Sequence, residues 1–238
     1  MRSDVYKLVT VNDGKSDTAA IVKVLSEISN GRLKSDLKLL NYCEEVPVSY
    51  GSSVTAVDDD SVEFVVHEHQ ALIMKHDKST LIKSRHFHNE LGVHCYAAYV
   101  NVPKKSVVLH NFAYAQIRAE RREAVRVRVN GRVSATFSYG NVTIEGIMLD
   151  ISGNGISFVS KVVPATECNQ PGNISLTLSG TPLEVPGMFV RSAANENGGN
   201  VCLFQMKPDR RSDTVLGQFI YQRQIEIIQQ LKDGLIAN

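Results

Sequence analysis

The 238-residue chain contains no tryptophan, only four cysteines, and no long run of apolar residues. Cys43, Cys95, Cys168 and Cys202 lie far apart and form no Cys-x-x-Cys pair. This spacing disfavours a structural zinc site or a disulfide framework and indicates a reducing compartment. A bilayer-spanning helix needs about 20 mainly apolar residues, so we expect no membrane span.

An excess of charge of one sign is also lacking, because 26 basic residues oppose 25 acidic ones and the formal net charge is +1. This balance excludes a chain that coats nucleic acid by bulk electrostatics. The apolar fraction of 43% excludes a wholly disordered chain. Residues 1–4 lead into polar sequence, which predicts no secretory leader and hence a cytoplasmic protein.

Apolar residues at helical spacing occur mainly at the two ends of the chain. They predict a first helix from about Asp17 to Ser29, capped by Ser16 or Asp17. A short helix over residues 33–40 is a further candidate. A long helix over about 213–232, capped by Ser212, is predicted to end the fold.

Between these helices the pattern changes to the alternation typical of strands. In the second half, three valines alternate with Arg126 and Arg128, so the valines can face a core while the arginines face away from it. Short β-branched segments separated by polar turns indicate small antiparallel barrels or sandwiches. The predicted strands are Ser61–Val66, Ala71–Lys75, Gly92–Val100, Ser106–Asn111, Arg132–Ser138, Val142–Ile151, Ile156–Val163, Ile174–Leu178, Leu183–Val190 and Val201–Met206.

Six arginines lie within fifteen residues, opposed only by Glu120 and Glu123. All six basic residues of this cluster are arginine, and none is lysine. Because a guanidinium can bind in a bidentate manner, this composition favours specific recognition of phosphates or base edges over diffuse electrostatic attraction. This cluster is therefore the main candidate for a binding function. It consists of Arg118, Arg121, Arg122, Arg126, Arg128 and Arg132.

Two short motifs carry candidate binding chemistry. The first is Arg121-Arg122-x-x-x-Arg126, and the second is Asp150-x-Ser152-Gly153-x-Gly155 in a turn between two apolar strands. Each motif is unspecific alone. Arginines four apart are common on solvated faces, and many Asp-x-Ser-Gly turns serve only their own hydrogen bonds.

In this order, 24 residues apart and in a β-rich context, the two motifs resemble the PilZ family of receptors for the bacterial second messenger cyclic di-GMP. The preceding β-domain and the terminal helix make the chain similar to the two-domain, flagellar-brake (YcgR-like) type. The resemblance implies a mostly β fold with flanking helices. Two small β-barrels would stand in tandem, and the second would be a six-stranded PilZ barrel with a C-terminal helix.

The resemblance also implies domain boundaries. An N-terminal β-domain would occupy residues 1–115. The PilZ domain would occupy residues 116–238, with an arginine-rich connector over 116–126. In the family this connector runs into the first barrel strand without a hairpin, so we expect a bend at Asn130-Gly131 although the pair alone is a hairpin signal.

The family's motif residues can be carried over to this sequence one by one. Arginine forks suit both phosphates and guanine edges, and a carboxylate can accept from guanine N–H groups. An arginine directly before the motif, here Arg121, is associated in the family with a stacked ligand pair, so two molecules per protomer are expected. The predicted site residues are Arg121, Arg122, Arg126, Asp150, Ser152, Gly153 and Gly155.

The resemblance implies a non-enzymatic receptor that changes its domain arrangement to regulate motility, biofilm formation or related outputs. Flagellar motor proteins are the implied partners, and the resemblance implies recruitment to the flagellar basal body. Whether the protein forms a homodimer through the terminal helix is left open by the sequence. The alternative is a nucleic-acid-binding protein that uses the arginine cluster, which strong salt sensitivity without nucleotide selectivity would favour.

The remaining chemistry-bearing residues are weaker candidates. Six of the seven histidines fall within residues 67–94, but no acidic or cysteine partner recurs at a matching spacing. We therefore expect packed or solvated histidines and no metal. The chain has no Walker loop, Gly-x-Ser-x-Gly elbow or His-Glu-x-x-His motif, so no enzyme is expected.

Overall fold

The computed structural model describes residues 5–118, 124–161 and 168–233. Its contacts divide the chain into two compact units. The first unit consists of Met1–Cys43, Pro47–Glu123 and Gln229–Asn238. The second unit consists of Glu44–Val46 and Ala124–Ile228.

An eight-stranded sheet and two helices form the first unit. Its elements are β1 (Tyr6–Leu8), α1 (Gly14–Ser29), β2 (Lys38–Cys43), β3 (Val46–Gly51), β4 (Ser53–Val57), β5 (Ser61–Val65), α2 (Glu68–Asp77), β6 (Ser79–Lys83), a 3-10 turn (His88–Glu90), β7 (Gly92–Asn101) and β8 (Ser106–Ile117). The strand order is β3-β2-β6-β7-β8-β5-β4, with β1 added on β8. The sheet forms a half-barrel.

The first helix begins earlier than predicted. Asp13 is its N-cap, because its carboxylate accepts from the main-chain N–H groups of Lys15 and Ser16 at 3.0 Å each. Asp17, one of the two predicted caps, instead accepts from the N–H of Val11 at 2.8 Å. The helix ends at Ser29 as predicted, and its buried stripe packs into the core of the first unit.

Two local predictions in the first half are wrong. Residues 33–40, a helix candidate, contain the start of strand β2, whose Leu39 is fully buried in the sheet. The predicted strand Ala71–Lys75 lies inside helix α2, where Ala71 and Met74 are fully buried at helical spacing. The imidazole of His67 caps α2 by accepting from the N–H of His69 at 3.2 Å.

A closed six-stranded barrel dominates the second unit. The elements of the second unit are β9 (Arg126–Arg128), β10 (Ser134–Tyr139), β11 (Val142–Ser152), β12 (Gly155–Ser160), β13 (Pro171–Leu178), β14 (Thr181–Ala194), β15 (Asn200–Met206) and α3 (Arg210–Lys232). Strands β10 to β15 form the six-stranded barrel, and β9 pairs with β11. The strand order is β10-β13-β14-β15-β12-β11-β9, and pairing of β10 with β11 closes the barrel. The predicted mostly β fold with a six-stranded barrel and a C-terminal helix is confirmed.

Aromatic side chains fill the barrel. The Phe204 ring lies 4.6 Å from the Phe158 ring, 4.8 Å from the Phe137 ring and 5.5 Å from the Phe189 ring, measured between centroids. All four side chains are buried. Offset and edge-on aromatic pairs of this kind add about 0.5–1.5 kcal/mol beyond the area they bury. Phe158 lies on β12, the strand that begins at the last residue of the second motif.

The predicted bend at Asn130-Gly131 is confirmed. Strands β9 and β10 do not turn back on each other, since both pair with β11 at successive positions along it. Arg128 lies opposite Asp150, and Ser134 lies opposite Ile147. Gly131 adopts a φ of 77°, a conformation that residues with a side chain tolerate poorly. This glycine bends the chain where β9 continues into β10.

The terminal helix starts at Arg210, before the predicted start at about residue 213. Its N-terminal turn is held by Asp209, whose carboxylate accepts from the N–H of Ser212 at 2.7 Å. This hydrogen bond lowers the pKa of Asp209. Ser212, the predicted cap, is therefore a donor in the first turn.

Candidate functional site

Strand β9 brings the end of the first motif beside the second motif. Arg126 lies opposite Ser152, Val127 opposite Ile151, and Arg128 opposite Asp150. Val127 and Ile151 are both fully buried. Because side chains alternate along a strand, Arg126, Arg128, Asp150 and Ser152 share the outer face of the barrel.

A charge pair joins the two motifs on this face. Nε of Arg126 lies 3.5 Å from Oδ1 of Asp150. The two side chains are 29% and 19% exposed, so the pair is shielded without being sealed from water. An ion pair with this exposure contributes about 1 kcal/mol or less to stability, so groups that bind either partner more strongly can replace it.

Hydrogen bonds within the second motif shape its turn. The pairing of β11 with β12 ends at Ser152 and Gly155, so Gly153 and Asn154 form a two-residue connection. Ser152 Oγ lies 3.2 Å from Oδ1 of Asn154 and 3.3 Å from the main-chain oxygen of Gly155, and its hydroxyl donates to these acceptors. The motif serine is 5% exposed. Its proton is therefore committed to the turn.

A Cβ atom on the second motif glycine would make ordinary van der Waals contacts. A Cβ atom on Gly155 would lie 3.4 Å from the main-chain oxygen of Phe204 and 3.5 Å from Oγ of Ser152. Gly153 is more open, since the nearest atom to its Cβ position is Cβ of Ala124 at 3.8 Å. Neither glycine adopts a positive φ, and both are half-buried.

The structure brings together five of the seven predicted site residues at one end of β11. Arg121 and Arg122 lie outside the described residues. The five residues that are described and adjacent are Arg126, Asp150, Ser152, Gly153 and Gly155.

One residue of this face was not among the predicted site residues. Arg128 lies directly opposite Asp150 and is exposed. Its alternation with Arg126 was visible in the sequence, but only the strand register assigns it to Asp150. It places a second cation on the face that carries the motif carboxylate.

Four of the six histidines in residues 67–94 contact aromatic rings, namely His67, His69, His88 and His94. The His67 ring stacks on Tyr50 with centroids 3.7 Å apart, and the Tyr50 hydroxyl lies 3.1 Å from Nδ1 of His69. His94 stacks on Tyr6 at 4.6 Å. Within the described residues, no group of three or more His, Cys, Asp or Glu side chains is placed to hold a metal ion.

The four cysteines are free thiols. Cys202 is buried in the barrel, and burial raises its pKa to about 11, so the thiol stays protonated at neutral pH. Burial raises the pKa of Cys95 as well. Among the helices that the structure describes, none is long and apolar enough to cross a membrane.

Comparison with solved structures finds chains of similar extent at low sequence identity. Escherichia coli YcgR in complex with c-di-GMP matches with a TM-score of 0.45 and 10% identity, covering 98% of each chain. The K. pneumonia MrkH–c-di-GMP complex matches with a TM-score of 0.45 and 9% identity, covering 94% of this chain and 99% of that one. The Bacillus subtilis inhibitor of motility MotI matches with a TM-score of 0.43 and 12% identity, covering 80% and 95%.

No curated protein sequence matches the chain. The family model of the PilZ domain matches residues 120–222. This range contains the arginine motif, the Asp150–Gly155 turn and the whole six-stranded barrel. Residues 120–222, 103 of the 238 residues, therefore match the PilZ domain.

Proposed function

We propose that this protein is a non-enzymatic receptor for cyclic di-GMP. The observation that carries the proposal is the 3.5 Å contact between Arg126 and Asp150, which joins the two motifs of the family on one outer face of the barrel. A cation and a carboxylate side by side suit a ligand that presents both phosphate charge and guanine N–H groups. The match of residues 120–222 to the PilZ domain supports the same ligand.

The chemistry of each group assigns it a role toward the ligand. The guanidinium of Arg126 donates to a phosphate or to the O6 and N7 acceptors of guanine. The carboxylate of Asp150 accepts from the guanine N1–H and N2–H groups. Adenine has no N1–H, and its exocyclic amine would face arginine donors, so the site discriminates against cyclic di-AMP.

The Arg126–Asp150 pair is the contact that a bound nucleotide would have to replace. Each partner satisfies the other's charge until the nucleotide supplies a phosphate for the arginine and a donor edge for the carboxylate. Because the pair is partly exposed, breaking it costs little. The ligand therefore gains two charge-assisted contacts in exchange for one weak ion pair.

The remaining roles follow from the family resemblance. Arg122 completes the arginine motif, and Arg121 supplies the additional cation for a stacked pair of nucleotides. Ligand held at once by the arginine segment and by the Asp150–Gly155 turn draws the two domains together. The changed arrangement regulates motility, biofilm formation or a related output through a protein partner, such as a flagellar motor protein, in the bacterial cytoplasm.

Calorimetric titration with cyclic di-GMP, cyclic di-AMP and GTP tests the proposal. The wild type should bind cyclic di-GMP at least tenfold more tightly than the other two, and Arg122→Ala should lose this binding. Equal affinity for the three nucleotides would refute the proposal. So would tight binding of arbitrary duplex DNA that falls steeply with salt, since it would favour the nucleic-acid alternative.

A further inference from the structure

A buried hydroxyl lies beside the motif carboxylate. Ser157, in β12, is only 4% exposed, and its Oγ has no hydrogen-bond partner among the residues that the structure describes. Burying an unpaired hydroxyl is unfavourable, because the group gives up its hydrogen bonds to water. Native proteins retain few such groups, and each calls for an explanation.

The strand register places this hydroxyl next to Asp150. Asp150 pairs with Ser157 across β11 and β12, and the adjacent pair is Ile151 with Ile156. Both isoleucines are buried in the barrel. Asp150 and Ser157 therefore point together to the outer face, where directly opposed residues have Cβ atoms about 4.5–5.5 Å apart. A serine hydroxyl can reach a carboxylate oxygen across this distance.

The motif serine cannot easily supply the same hydrogen bond. The Ser152 hydroxyl is engaged with Asn154 and with the main-chain oxygen of Gly155. Ser157 carries a hydroxyl proton that the described contacts leave uncommitted. A carboxylate accepts at both oxygens, so Asp150 can receive a donor from the protein while it receives guanine N–H groups.

We infer that Ser157 is a positioning residue of the nucleotide site: it donates to the Asp150 carboxylate when ligand displaces Arg126 and fixes the orientation in which that carboxylate meets guanine. This inference rests on the proposed function. Asp150 contacts Arg126, and among the residues that the structure describes the Ser157 hydroxyl has no hydrogen-bond partner. When ligand is bound, the hydroxyl donates to the carboxylate and is no longer unpaired. The unfavourable free energy of burying it unpaired is then removed, and this change adds to the binding affinity.

A pair of serine-to-alanine variants on one strand separates this role from simple packing. Ser157→Ala should weaken cyclic di-GMP binding by about tenfold, the worth of one hydrogen bond to a charged group. Its urea unfolding midpoint should equal or exceed that of the wild type, because an unpaired buried hydroxyl is removed. Ser160, 1% exposed and with a hydrogen-bonding or electrostatic partner, is the matched control. Ser160→Ala should lose stability and keep its affinity.

A double-mutant cycle with Asp150→Ala tests whether Ser157 acts through the carboxylate. In the Asp150→Ala background, Ser157→Ala should cost no further affinity, since the acceptor is gone. Additive losses, or an unchanged affinity of Ser157→Ala in a wild type that binds tightly, would overturn the inference. A wild type that fails to bind cyclic di-GMP would instead overturn the proposed function.

Discussion

Arg223 of the terminal helix donates from Nε to the main-chain oxygen of Arg128 at 3.0 Å, across 95 positions of sequence. Its guanidinium also donates to Glu44 at 2.6 Å and to Glu226 at 3.1 Å. The main-chain oxygen of Glu44 in turn accepts from the N–H of Arg128 at 3.3 Å. Strand β9, which carries Arg126, is therefore hydrogen-bonded to β11 on one side and to this cluster on the other.

Replacement of Arg223 should destabilise the second unit. The side chain is 3% exposed, whereas its partners Glu44 and Glu226 are 28% and 46% exposed. In Arg223→Met, water can partly solvate the carboxylates of Glu44 and Glu226, which lose their ion-pair partner. The free energy of unfolding should therefore fall by about 2–3 kcal/mol, less than is usual when a fully buried ion pair is broken. Urea denaturation measures the loss. Arg211→Met, at an exposed position of the same helix, should change stability by less than about 0.5 kcal/mol, and equal losses in the two variants would contradict this account.

Ligand stoichiometry should depend on Arg121. A stacked pair of cyclic di-GMP molecules carries four negative charges, and an additional arginine helps to offset them. Wild type should therefore bind two nucleotides per protomer, and Arg121→Leu should shift the ratio toward one. Calorimetric titration with protein of known active concentration measures the ratio. Saturation of the wild type at one equivalent would remove the role assigned to Arg121.

Acid should destabilise the first unit in part through Asp36. Burial alone raises the pKa of Asp36, but hydrogen bonds from the Ser84 hydroxyl at 2.6 Å and the Arg85 N–H at 3.1 Å lower it overall. A depressed pKa contributes stability above the unfolded value of about 3.9, and this contribution is lost as the pH falls through the lower folded value. Asp36→Asn should therefore be less stable at pH 6, and its urea midpoint should fall less between pH 6 and pH 3. Parallel curves for the two proteins would exclude this contribution.

Binding should order the arginine-rich connector and draw the domains together. Clustered arginines repel one another, and a bound polyanion relieves that repulsion. A ligand shifts a conformational equilibrium only when it prefers one state, and the proposed closed state offers contacts to both motifs. Small-angle scattering should show a smaller radius of gyration with cyclic di-GMP, and amide exchange should slow across residues 115–129. Unchanged values in both measurements would mean that the ligand is held without switching.

The motif geometry was accessible from the sequence because it depends on local alternation. Valines at 125, 127 and 129 predicted that Arg126 and Arg128 share a face. The fully buried Val127 agrees with that pattern, whereas Val125, just before β9, is 40% exposed and does not face the core. The family resemblance then related Arg126 to Asp150. The bend at Asn130-Gly131 was also predictable, although the pair alone favours a hairpin.

Other features depend on contacts that no local pattern reveals. Helix α2 is capped by a histidine ring, a residue outside the usual capping set, so its start carried no signal. The contact of Arg223 with Glu44 joins residues 179 positions apart. Ser157 is one of many serines in strands, and only the register with Asp150 distinguishes it.

Calorimetric titration of cyclic di-GMP into wild type, Arg126→Ala, Asp150→Ala and the double variant tests the central claim most directly. Asp150→Ala should lose about 1.5–3 kcal/mol of binding free energy, as expected for a charge-assisted hydrogen bond, and Arg126→Ala should also bind more weakly. Urea midpoints should stay near that of the wild type, because the pair is partly exposed. Wild-type affinity in both single variants, with their folds intact, would contradict a nucleotide site built on Arg126 and Asp150.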